Sequence, residues 1–223
     1  MNDALLQLDP LRRLVLAYAK RPDRARYALA FALDSRLAEV IRSTSETLIG
    51  QMRLTWWRDI LTKAAAERPK GEPLVALINQ AERQGTDLTP LLDLLEGWEF
   101  LLDDFPWDCR QFDQYAAKRG EGVFQFALRG NDNLTDDQKT VAQGWALWDF
   151  ARHCSDPDMR EQAFDKCQRL FERAPSVHFD SSGRPLSIFC KLAQSDATKG
   201  SLTADLYRPR VASKIIWHGV TGC

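Results

Sequence analysis

Tyr27-Ala-Leu-Ala-Phe-Ala-Leu-Asp-Ser-Arg-Leu-Ala-Glu39-Val-Ile-Arg42, and a short turn later Ile49-Gly-Gln-Met-Arg-Leu-Thr-Trp-Trp-Arg-Asp59, is the stretch that decides the fold. Tyr27, Phe31, Leu33, Leu37 and Ile41 recur at the spacing of a helix that begins at Pro22. Ile49, Met52, Trp56 and Ile60 recur at intervals of three and four, so they form one apolar stripe on a second helix. Ser43 and Glu46 between them have the S-x-x-E spacing of a capping box.

The same punctuation continues in both directions. Asp9-Pro10 reads as a cap and first helical residue, opening a helix to about Lys20. Pro73 and Pro90 open two more, the first stopped by Gly85, the second carrying Leu91, Leu94, Leu95, Trp98, Leu101 and Leu102. Asp108 caps a helix through Phe112, Tyr115 and Phe124, and Thr135 with Gln138 forms a capping box before Val141, Trp145 and Trp148. Pro157 starts a helix with Met159, Phe164, Leu170 and Phe171, and short helices are expected near 185–196 and 208–219. Pro175 to Arg184 reads as a loop. Alternating apolar and polar residues are scarce and β-branched residues scattered, so no sheet is expected. The prediction is an all-α bundle, one domain over residues 1–223.

Composition narrows the function. Apolar residues make up 44% and charged residues 27% of the chain, which suits a folded protein and argues against disorder. A formal net charge of -1 gives no basic excess for nucleic acid. No apolar run approaches the ~20 residues of a membrane span, and Met1-Asn2-Asp3-Ala4 opens no secretory signal. Cys109, Cys154, Cys167, Cys190 and Cys223 are odd in number and contain no C-x-x-C pair, so reduced thiols in the cytoplasm are expected.

No G-x-S-x-G elbow, P-loop or G-x-G-x-x-G is present, and His153, His178 and His218 lie in separate segments. Asp149 and His153 share a helix face, with Arg152 beside them and Asp156 a turn on. That is the spacing of a metal pair, and equally of a charged helix end where histidine complements the dipole; the second is the simpler reading. Asp103, Asp104 and Asp108 are separated by Pro106, which keeps them off one helix face. Gly120 and Gly122 interrupt a helical pattern at about 1 kcal/mol each relative to alanine. They mark a kink, a close helix contact or a cavity wall, or else the end of one helix and the start of another.

The segment from Tyr27 to Asp59 resembles the squalene/phytoene synthase family. It looks most like the divergent branch that includes the phytoene-synthase-like mitochondrial complex I assembly factors, in which an Ala-Leu-Phe-type helix leads into Ile-Gly-x-Met-Arg-x-x-x-Trp. Here that segment is Ile49, Gly50, Gln51, Met52 and Arg53 with Trp57. Tyr115-Ala116 with Gly120 and Gly122 resembles the small-residue break of a later family helix, and Gly144 to Asp156 sits where the second motif helix would be. The resemblance implies an all-α prenyl-synthase bundle around a central cavity. It also implies, for active members, head-to-head joining of prenyl diphosphates by Mg²⁺ held on two aspartate-rich motifs of facing helices. A diphosphate leaving group calls for a divalent cation, and Mg²⁺ takes oxygen ligands.

Measured against that pattern, both motifs fail. The first is expected near Ala38-Glu39 and Arg42, where only Glu39 is acidic; slipping the register to Asp34 does not restore the pattern, because Leu37 and Ala38 then follow. The second is expected across Trp148 to Arg152, with Asp149 and Asp156 as near misses. The resemblance therefore implies a non-catalytic scaffold or assembly factor with no cofactor. It would act through a protein partner, as in assembly of a respiratory complex, peripheral to the inner membrane. Arg208, Arg210 and Lys214 beside Val211, Ile215, Ile216 and Trp217 give 208–219 a basic amphipathic pattern for such contact, or for a final helix docked on the bundle.

The alternative is a prenyltransferase with a rebuilt Mg²⁺ site, its ligands drawn from Asp34, Glu39, Asp149 and Asp156. Arg36, Arg42, Arg53 and Arg152 would then bind the diphosphate. Carboxylates converging from opposing helices would favour the enzyme; arginines or apolar residues there would favour the scaffold.

Overall fold

The computed structural model describes residues 8–44, 46–128 and 133–206, together with Val211, Ser213, Ile215, His218 and Gly219. Its elements, in chain order, are α1 Pro10–Ala17, α2 Arg24–Arg42, α3 Thr47–Thr62, α4 Pro73–Arg83 and α5 Thr89–Glu99. They continue with α6 Cys109–Ala116, a wide π turn Ala117–Glu121, α7 Gly122–Ala127, α8 Asp136–His153, α9 Pro157–Arg173 and α10 Arg184–Lys199. No strand occurs among the described residues.

Most starts follow the sequence signals. Asp9 accepts from the Arg12 amide, and Asp108 and Thr135 each form a reciprocal capping box with Gln111 and Gln138. Asp156 caps α9 through the Met159 amide, and Gly85 ends α4 with φ +73°. One start differs. Ser43 and Glu46 form no capping box: Ser43 Oγ turns back to the Glu39 carbonyl, closing α2 instead of opening α3. The expected 208–219 helix rests largely on Arg208, Arg210, Lys214, Ile216 and Trp217, which lie outside the described residues.

Two helices occupy the centre. On α2, Tyr27 to Leu33 are buried in succession, and on α8 so are Trp145 to Trp148. A helix apolar all round belongs inside a bundle, not on its surface. On α3 the stripe divides. Ile60 is buried, but Ile49, Met52 and Trp56 are exposed, because Gly50, Leu54, Trp57 and Leu61 take the side facing the core.

The Gly120 region is a close helix contact and a widened turn, not a chain break. A Cβ on Gly120 would collide with the Ala142 carbonyl of α8. On the other side, a Cβ on Gly97 of α5 would sit 2.7 Å from the Arg119 amide nitrogen. The missing side chains let the π turn wedge between α5 and α8, and this wedge aims Arg119 into the centre.

Candidate functional site

Asp34 on α2 and Asp149 on α8 point toward each other, and the Arg119 guanidinium lies between them. Arg119 Nε and Nη2 donate to Asp34 Oδ1 and Oδ2 at 3.0 and 3.1 Å. Nη2 also donates to Asp149 Oδ2 at 2.6 Å, and Nη1 to the Tyr115 hydroxyl at 2.8 Å. The group is planar and bidentate, the geometry in which guanidinium matches carboxylate. Its faces are covered as well, with the Trp98 ring centroid 4.4 Å and that of Trp145 5.1 Å from Cζ.

Asp34 is fully engaged. Besides Arg119, it accepts from Trp98 Nε1 at 2.9 Å and from Arg12 Nη2 at 2.8 Å. Arg12 is held in turn by Asp9 at 2.7 Å. The Asp34 and Arg119 side chains are each 1% exposed, so their charges are offset by each other and not by water. Burial by itself would push the Asp34 carboxyl up, but Arg119 and Arg12 outweigh it and hold it below its ordinary value. The same holds at Asp149, where burial is outweighed by Arg119, His153 and Arg12 and the carboxyl is driven strongly down. At Tyr115, burial pushes the hydroxyl up, so it stays protonated and accepts from Arg119.

A cavity of about 880 Å³ opens beside this cluster. Trp145, Trp148, Phe150 and Phe189 supply aromatic wall; Arg12, Arg36, Arg42, Arg119, Arg152 and His153 supply positive or protonatable groups. Asp149 and Glu39 are also on the lining.

The predicted site residues are distributed unevenly. Asp34 and Asp149 meet through Arg119. Glu39 is at the rim, mostly exposed, 3.6 Å from Arg36. It is five residues past Asp34, about 140° further round the helix. Of the two α2 carboxylates expected near the first motif, Asp34 is the one joined to Asp149 through Arg119, and Glu39 lies apart from it. Asp156 is spent on capping α9 and does not line the cavity.

Arg36, Arg42 and Arg152 line the cavity, but Arg152 already donates to the Thr203 carbonyl and lies over Trp148. Arg53 does not line it; it donates to the Ser43 and Thr44 hydroxyls. Sequence reasoning passed over Arg119, Arg12, Trp98 and Tyr115. The signal for Arg119 was present in the glycines that follow it.

The model for squalene/phytoene synthase matches residues 11–163. The chain belongs to the squalene/phytoene synthase family. No curated protein matches it. Among solved structures, the chain is similar to a dehydrosqualene synthase in complex with ligand. That likeness has a TM-score of 0.64 and 12% identity, covering 93% of this chain and 89% of the other. An identity that low carries the isoprenoid-synthase fold alone.

The Mg²⁺ site expected of active squalene/phytoene synthases does not fit the residues present. One position after Asp34 and Asp149 stand Ser35 and Phe150, and four positions after them Ala38 and His153. Among the described residues, no group of three His, Cys, Asp or Glu side chains gathers to hold a metal. Asp34 has both oxygens committed to nitrogen donors, and Asp149 has one. The arrangement is chemically a closed ion cluster.

Proposed function

We propose that this squalene/phytoene synthase family member keeps the fold but has given up metal-dependent condensation, and works as a helical scaffold through a protein partner. One observation carries the reading. The two carboxylates that face each other across the bundle are bridged by the protein's own cation, Arg119. A metal entering there would have to displace a buried guanidinium from two carboxylates, a tyrosine hydroxyl and two indole faces. The likeness of the Ile49 to Trp57 segment to the complex I assembly-factor branch points to assembly of a respiratory complex as the setting.

The cavity favours a second reading, a prenyltransferase or a binder of prenyl diphosphates. Its aromatic walls suit an isoprenoid chain, and Arg36 and Arg42 at its lining suit a diphosphate. Binding by arginine alone leaves the ionisation of the diphosphate without the divalent charge that drives it.

The two are separated by incubating purified protein with farnesyl or geranylgeranyl diphosphate, with and without Mg²⁺, and following pyrophosphate release beside a working prenyl synthase. No release under either condition is expected. Mg²⁺-dependent release that disappears in Asp149→Ala would overturn the scaffold reading. A thermal shift with the diphosphates and no release would support a ligand-binding scaffold.

A further inference from the structure

We infer that the outer face of α3 docks on an anionic lipid surface. Four large apolar side chains stand in water there: Leu48 is 68% exposed, Ile49 46%, Met52 65% and Trp56 42%. At 3.6 residues per turn they cover an arc of about 100° along the first three turns of the helix. Its opposite side, with Gly50, Leu54, Trp57 and Leu61, is already packed on the bundle. The outward stripe is therefore not surplus core. It is a second apolar face on a helix whose structural face is satisfied, and contiguous patches of this kind mark interaction sites.

Two features favour a bilayer as the occupant. The four side chains stand along one helix and line neither of the described cavities. A fluid interface takes a helix lying flat with Leu, Met and Trp directed into the boundary between headgroups and acyl chains. The second feature is charge. Arg53 donates to Ser43 Oγ at 2.8 Å and to Thr44 Oγ1 at 2.9 Å, which brings the end of α2 against α3 and gathers Arg42 and Arg53 at one corner.

Among the described residues no carboxylate pairs with Arg53, whose bonds go to neutral hydroxyls. Arg42 is exposed at the same corner, and Glu46 is the acid beside them. At the far end of α3 the charges are neutralised within the protein, Arg58 by Glu99 at 2.6 Å and Lys63 by Asp59 at 2.9 Å. Two arginines to one acid thus stand beside the exposed apolar stripe, a positive excess of the kind that acidic headgroups attract. A twofold pairing of this face with a second copy would bring two such corners into one interface.

The test uses full-length protein and vesicles of phosphatidylcholine, alone or mixed with phosphatidylglycerol. Co-sedimentation with the mixed vesicles is expected, weakening with added salt and with phosphatidylcholine alone. Leu48→Glu/Met52→Glu should lower the partition about tenfold or more, at unchanged melting temperature because both positions are exposed. Phospholipid brominated on its acyl chains should quench tryptophan emission in the native protein and much less in Trp56→Phe.

Failure of the native protein to bind mixed vesicles would overturn the inference. Equal binding by the double Glu variant would do so too, since another surface would then carry the contact. So would a concentration-dependent dimer, seen by sedimentation velocity, that the same double variant abolishes. None of these readouts depends on turnover in the cavity, so they stand apart from the test of the scaffold reading.

Discussion

Arg119 and Asp34, 85 positions apart in the chain, form a two-pronged ion pair in which Nε and Nη2 meet Oδ1 and Oδ2 at 3.0 and 3.1 Å. The pair ties the π turn before α7 to the central helix α2, and through Asp149 it reaches α8. A buried pair of this kind contributes little beyond what a well-packed apolar substitute would. Breaking it on one side is different, because the charge left behind has no water to turn to.

Arg119→Leu should therefore cost about 3–5 kcal/mol in denaturant unfolding. The variant leaves Asp34 and Asp149 facing each other without their shared cation, although Arg12 still holds Asp34. Mn²⁺ or Mg²⁺ should raise the melting temperature of this variant and leave the native protein unchanged. Equal response of both proteins to the metal would contradict the view that Arg119 fills the place a metal would take.

Acid should unfold the protein through the same cluster. The ordinary carboxyl value for both aspartates is 3.8, and both are held below it in the fold. Groups depressed in this way stabilise the fold fully above the unfolded value, and that contribution is lost as pH falls through the folded one. Stability measured by urea melts should be flat in this respect above about pH 5 and fall steeply below about pH 4. Asp149→Asn should flatten the acid limb while lowering stability at neutral pH.

Trp98→Phe removes the indole N–H that meets Asp34 Oδ1 at 2.9 Å and keeps most of the ring over Arg119. One missing hydrogen bond to a buried charge should cost about 1.5–3 kcal/mol. Gly120→Ala tests the wedge. Its methyl group would meet the Ala142 backbone, which is part of α8 and has no freedom to step aside. A loss of about 1–3 kcal/mol or more is expected from the overpacking, visible as a lowered melting temperature.

Thiol reactivity should follow burial. Cys109 is exposed, Cys154 is partly buried, and Cys167 and Cys190 are buried. Burial also pushes the Cys167 thiol up to about 12 and the Cys190 thiol higher still. A thiol reagent at pH 8 should modify Cys109 quickly and leave Cys167 and Cys190 intact until the protein unfolds, as peptide mapping would show. Fast labelling of Cys190 in the native protein would mean that α10 opens readily.

Helices were legible in the sequence because their causes are local. Asp9, Asp108, Thr135 and Asp156 cap within three residues of themselves, and Pro10, Pro73 and Pro157 act on their own turn. The helix through Tyr27, Phe31, Leu33, Leu37 and Ile41 was legible for the same reason, and so was the family, carried by the Tyr27 to Asp59 stretch. The α3 stripe was legible as a pattern only. Periodicity says that Ile49, Met52 and Trp56 share a side of a helix; it does not say whether that side meets the core or water. Which side is buried depended on Gly50, Leu54, Trp57 and Leu61 competing for the same contact.

The site was the least legible part. By itself the sequence determined an all-helical chain, the helix starts, and aspartates at 34 and 149 standing apart from any complete metal motif. Only the tertiary structure decided that these two meet, that a third residue bridges them, and that Glu39 and Asp156 stay apart from them. The physical reason is that charge compensation in a protein interior is a matter of a few ångströms in space. Arg119 is brought to Asp34 by backbone approaches at Gly97 and Gly120, between helices far apart in the chain, and no local pattern of residues encodes that distance.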